Sequence, residues 1–200
     1  MKWNPRSTMA IALLALTGCA TQAPYGTPEA TANLMRDLSL SKPPQVVVPA
    51  DWADSPYGIS EGVQTTKGLL VSEEGGLRFV TYDGQRFHET DELRRPDLEC
   101  GYIWSGDSGS ELVHLFRADR FYMLKVGAKK IDADPAQRSE LVRYLRSQGV
   151  PLLTSQEGTF FRPTGRTKRG ISTVPAAPGM PNWTVTIDDE QEAFNPCHHG

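Results

Sequence analysis

The spacing of apolar and polar positions divides the chain into an opening apolar run, a short amphipathic helix, a long series of strand-like segments and one further helix. Met9 to Leu16 is uncharged and mostly aliphatic and follows a start that carries Lys2 and Arg6. Thr27 is placed to cap a helix, with Pro28 at its first position and Glu29 close behind. Ala30, Leu34, Met35 and Leu38 fall on one face of it, and Lys42, Pro43 and Pro44 end it. That face predicts docking on the domain rather than lying on a bilayer, because the polar face carries little positive charge.

From Gln45 the period changes to that of strands. Val46 to Val48 is a short β-branched run, and Pro49, Pro56 and Gly58 then predict a loop. Lys67 to Ser72, Leu77 to Tyr82 and Gln85 to Glu89 read as a meander, with Glu73 to Gly76 and the pair Asp83, Gly84 as turns. Asp-Gly between such runs predicts a tight type I′ hairpin. A second set follows Pro96: Gly101 to Trp104, Glu111 to Phe116 and Phe121 to Val126. The last has apolar residues on both faces, so part of the sheet must be covered twice.

Asp134 to Gln148 is the clearest helix. Asp134 can cap it, Pro135 suits its first turn, and Gln137 is placed to complete a capping box. Leu141, Val142 and Leu145 form an apolar stripe, Gly149 can take the left-handed cap, and Pro151 prevents continuation. Arg138, Arg143 and Arg146 read as its solvated face. Leu152 to Thr154 and Thr159 to Phe161 offer an edge strand or hairpin, residues 162–182 read as loop from their prolines and glycines, and Trp183 to Ile187 alternates again. The expected fold is α+β: a single antiparallel, curved sheet of about six or seven strands packed by one C-terminal helix, plus the short N-terminal helix. In shape, a meander followed by one helix resembles pleckstrin-homology-like topology, an analogy that carries no function.

At Leu16, Thr17, Gly18, Cys19 the opening segment resembles the lipobox of bacterial lipoproteins. The apolar run before it is too short to span a bilayer, which takes roughly 20 apolar residues, and its charged-then-apolar layout is that of a secretory signal. The resemblance implies cleavage before Cys19, a diacylglyceryl group on its sulfur and, in many such proteins, an acyl chain such as palmitate on the new amine. Two or three chains hold firmly where one binds only marginally. Ala20 and Thr21 lack the aspartate that often retains such proteins at the inner membrane, so the resemblance implies the periplasmic face of the outer membrane. The expected organisation is a signal peptide at 1–18, a lipidated tether at 19–26, a helix and linker at 27–44, a domain at 45–161, and a loop and tail at 162–200 with one possible returning strand.

An apolar content of 38% suits one modest core. The net charge of -3 falls to -5 when Lys2 and Arg6 leave with the signal, and no clustered basic surface suggests a nucleic-acid binder. With Cys19 lipidated, Cys100 and Cys197 remain and are expected to pair in an oxidising periplasm. The competing reading, a metal site at Cys197, His198 and His199, is disfavoured because adjacent residues of an extended tail point in opposite directions.

Candidate chemistry is sparse. Gly106 to Ser110 resembles the nucleophile motif of chymotrypsin-like proteases, with Ser108 at the nucleophile's place, but its last position is Ser110 rather than glycine and only His88 precedes it at any useful distance. The segment reads as a hairpin loop. Glu73, Glu74, Glu89, Asp91 and Glu92 could supply a carboxylate pair but read as solvated strand ends. His88 and His114 sit among apolar strand residues. Arg162, Arg166, Lys168 and Arg169 form the one dense basic cluster, suited to phosphate or carboxylate forks on an anionic envelope component or partner protein, or else neutralised by Asp188, Asp189, Glu190 and Glu192. Together these features predict a membrane-anchored periplasmic lipoprotein with a non-catalytic binding or scaffolding domain and no cofactor. The alternative is a small envelope hydrolase using the acids or Ser108.

Overall fold

The computed structural model describes residues 23–58, 64–105, 111–127, 134–154, 157–173 and 183–198. Val47–Pro56 forms one ten-residue strand, β1, where the sequence predicts a short run and a loop. It is long because it is shared: residues 47–52 pair with β2, Thr66–Glu73, and residues 50–56 with β7, Arg120–Val126, both antiparallel. Pro49 is tolerated because its nitrogen lies on the β7 side just before that ladder begins at Ala50, and its carbonyl still accepts from Gly127 N–H at 2.8 Å.

Around β1 stand β3, Gly76–Tyr82; β4, Phe87–Arg94; β5, Cys100–Ser105; β6, Glu111–Phe116; and β8, Leu152–Leu153. They form an eight-stranded sheet of order β4-β3-β2-β1-β7-β6-β5-β8. The β8 strand lies parallel to β5, so the sheet is mixed. A separate two-stranded sheet pairs β9, Phe161–Thr173, with β10, Trp183–Ala193. These findings correct the expected α+β fold with a single antiparallel sheet of six or seven strands. The described chain is mostly β, with two short helices, α1 at Pro28–Asp37 and α2 at Pro135–Ser147. Residues 162–173, read as loop, are strand, and Trp183 to Ile187 belongs to β10, which pairs with β9 instead of returning to the large sheet.

Strand alternation sorts the core onto both faces of the sheet. Trp52, Leu70, Phe79, Val113, Tyr122 and Leu124 point to one face, where Leu141 and Leu145 of α2 cover them. On the other face Leu69, Val71 and Val80 meet Leu34 of α1 and Leu38 just past its end, and Phe116 and Phe121 meet Phe160 and Ala193 at the base of the β9–β10 ribbon. Double coverage of β7 is therefore real: Tyr122, Leu124 and Val126 serve one layer and Phe121 the other. Each such side chain contributes about 1.5–3 kcal/mol by leaving water.

The local signals hold at the helix ends, with departures at one capping residue and one hairpin turn. Thr27 Oγ1 accepts from Ala30 N–H at 3.2 Å, and Asp134 accepts from Ala136 and Gln137 N–H. Gln137 does not complete a capping box: its Nε2 lies 3.5 Å from the Tyr25 hydroxyl. Gly149 takes φ +70 beyond α2, with Val150 N–H returning to Leu145 O at 3.0 Å. Arg95 completes that end, donating to Gln148 O and Gly149 O at 2.7 Å each. The Asp83 turn is not type I′. Of its residues Gly84 alone has positive φ, and the Asp83 carboxylate accepts from Gln85 and Arg86 N–H at 2.7 and 2.8 Å, building a wider loop.

Candidate functional site

The basic cluster and the acids that follow it are facing strands of one ribbon. Arg162 stands opposite Glu192, Lys168 opposite Asp188 and Arg169 opposite Ile187. Arg162 Nε donates to Glu192 Oε1 at 2.7 Å, and its guanidinium lies 5.5 Å from the centre of the Phe194 ring. The register shifts between Asp189 and Gln191. Near that bulge, Glu190 Oε2 receives the Thr164 hydroxyl at 3.1 Å and Arg166 Nε at 2.8 Å. Gly165, at φ +77, supplies the kink. Exposed pairs of this kind are worth about 0.2–1 kcal/mol each. An anion binding at Arg162 or Arg166 would have to displace a carboxylate that is already in place. Ile187 and Phe161 remain exposed, at 67% and 44%.

The base of the ribbon is held much more firmly. Cys100 of β5 and Cys197 form the disulfide, with Cα atoms 5.7 Å apart and a sequence separation of 97. Gly58 and Ala193 exchange two backbone hydrogen bonds of 2.8 Å, and Phe194 N–H donates to Phe160 O at 2.9 Å. Asn195 donates to Glu99 and to Arg117 O, and the Tyr57 hydroxyl donates to the same Arg117 carbonyl at 2.7 Å. Beneath them lies an aromatic cluster in which His114 packs against Phe160 and Tyr102, with ring centres 4.7 and 5.9 Å away. His114 is 3% exposed, its Nδ1 has no hydrogen-bond partner, and burial lowers its pKa to about 4.

The remaining candidates are dispersed. Cys19, Ser108 and His199 lie outside the described residues. Glu73 and Glu89 both pair with Arg78, Glu74 with Lys42, Glu92 with Arg94, and Asp91 with the Tyr122 hydroxyl. His88 pairs with Asp83 at 2.7 Å. Of the tail trio, Cys197 is in the disulfide and His198 Nε2 lies 3.2 Å from Glu99.

One surface had only a faint sequence signal. Arg138, Ser139, Val142, Arg143 and Arg146 of α2, together with Ile103 of β5, line an open groove of about 380 Å³. In sequence these arginines looked like any solvated helix face; what marks them out is the neighbouring strand. The chain matches no family model, no curated protein and no solved structure.

Proposed function

We propose that this is a lipid-anchored lipoprotein at the periplasmic face of a bacterial outer membrane, whose domain binds or scaffolds another envelope component through the β9–β10 ribbon without catalysing a reaction. The observation that carries this reading is that the ribbon pairs with no strand of the large sheet, yet a disulfide and an aromatic cluster secure its base. An isolated two-stranded ribbon is only marginally stable in water, so one that is held out from the domain and fixed at its root is suited to pairing with something else. Exposed Ile187 and Phe161 supply apolar contact, and the paired charges of Arg162 and Arg166 keep the strands in register. The disulfide fits an oxidising compartment, where such bonds persist.

The test is capture from detergent-solubilised envelopes with the full chain carrying a photo-crosslinker at Ile187. A discrete crosslinked envelope component, weakened by Ile187→Asp, is expected. Capture of the same component after replacement of β10 by a short glycine-serine loop would place the binding surface elsewhere.

A further inference from the structure

We propose that the arginine-lined groove of α2 binds the phosphate of an anionic phospholipid headgroup in the leaflet that carries the Cys19 anchor. The inference rests on the anchored reading of Cys19 and adds a second membrane contact to it. Arg143 and Arg146 are exposed and make no hydrogen bond or ion pair among the described residues. At 3.6 residues per turn, Arg138, Val142 and Arg146 run up the helix with Ser139 and Arg143 beside them. Glu140, the single acid of α2, falls outside this strip. The floor is apolar, from Ile103 and Val142. Guanidinium forks over carbon suit a phosphate joined to glycerol and acyl chains better than a fully hydrated ion.

The fold also puts the groove near the membrane. Ala23 is buried and Tyr25 packs into the cluster under α1, so the segment read as a free tether is docked from Ala23 onward. Tyr25 reaches Gln137, the neighbour of Arg138. Tyr25 follows Cys19 by six positions, a span of at most about 21 Å. Arg143 and Arg146 lie about 9 and 13 Å further along the helix axis. The chain therefore enters the fold near the Arg138 end of the groove, within reach of the headgroup layer.

The experiment uses the full chain with Cys19→Ser, so that no acyl chain contributes, in flotation with vesicles of phosphatidylethanolamine alone or with phosphatidylglycerol added. Binding is expected on the anionic vesicles, weakening as salt rises. Loss of two membrane-facing arginines should weaken it on the order of 30-fold, so Arg143→Glu with Arg146→Glu should abolish flotation. Arg143→Lys with Arg146→Lys, which keeps the charge and the fold, should retain most of it. Equal binding to neutral vesicles, undiminished binding by the glutamate variant, or capture of an acidic protein with no vesicle binding would overturn the proposal. The mass of the amino-terminal peptide from envelopes reads the anchor separately. A diacylated Cys19 with no flotation removes the groove and keeps the anchor, whereas an unmodified Cys19 removes the leaflet named here.

Discussion

The Tyr122 hydroxyl donates to Asp91 Oδ2 at 2.6 Å, joining β7 to β4 although three strands lie between them in the sheet. Strands four places apart in a flat sheet would lie about 19 Å apart, so the contact requires the sheet to curve between β4 and β7. Burial, followed by the Asp91 carboxylate, pushes the phenol up to about 12, with the Arg117 guanidinium acting in the opposite direction. Tyr122→Phe keeps the stacking on Phe79 but leaves the Asp91 carboxylate short of a bond. A loss of about 1.5–3 kcal/mol is expected by urea unfolding, the range for bonds to charged groups. A change under about 0.5 kcal/mol would mean that the contact does not close the sheet.

The Cys100–Cys197 bridge holds the ribbon's root to β5. Loop-closure entropy for a span near 100 residues assigns it about 4.7 kcal/mol. Non-reducing peptide mass spectrometry should show the two cysteines linked, and Cys100→Ser with Cys197→Ser should lower stability by an amount of that order. Free thiols at both positions would contradict the pairing.

His114 should make the fold acid-sensitive. Its folded-state pKa, about 4, lies below the ordinary histidine value of 6.5, so as pH falls the unfolded chain takes up the proton first. Its contribution to stability is complete above about pH 6.5 and is lost on acidification towards pH 4, about 3 kcal/mol in all. His114→Phe, which keeps an aromatic ring beside Phe160, should flatten this part of the stability curve. Unchanged steepness between pH 6.5 and 4 would assign the acid limb to other groups.

The ribbon's ion pairs should act on register more than on stability. Arg162→Glu alone, which sets like charges opposite one another at Glu192, should destabilise the ribbon by up to about 1 kcal/mol. Adding Glu192→Arg should restore it, as read by amide exchange of β9 and β10. A double variant no better than the single one would show that the pair does not couple across the strands.

Much of the local structure was legible because its causes lie within a few residues. Thr27 and Asp134 accept from amides two or three positions away, and Gly149 ends α2 through its own backbone. The two-sided apolar pattern of Phe121 to Val126 likewise required a layer on each face, and both layers exist. Reducing three cysteines to two by way of Cys19 led to the bridge that the structure contains. The misreadings share one cause. Pro49, Pro163, Gly165 and Gly170 are poor strand residues by propensity, but propensity yields to a partner strand that satisfies the backbone. β7 does this for β1, and β10 does it for β9.

By itself the sequence determined the lipobox-like start, the helix ends and where most strands of the large sheet begin, all of which depend on chemistry between near neighbours. Only the tertiary structure decided that β1 serves two strand sets, that the basic cluster and its acids face each other on one ribbon, and that Arg143 and Arg146 border an apolar-floored groove beside the chain's point of entry. These are relations between residues far apart in sequence. They follow from which backbone donors and apolar faces find each other when the sheet coils, and no local pattern specifies that choice.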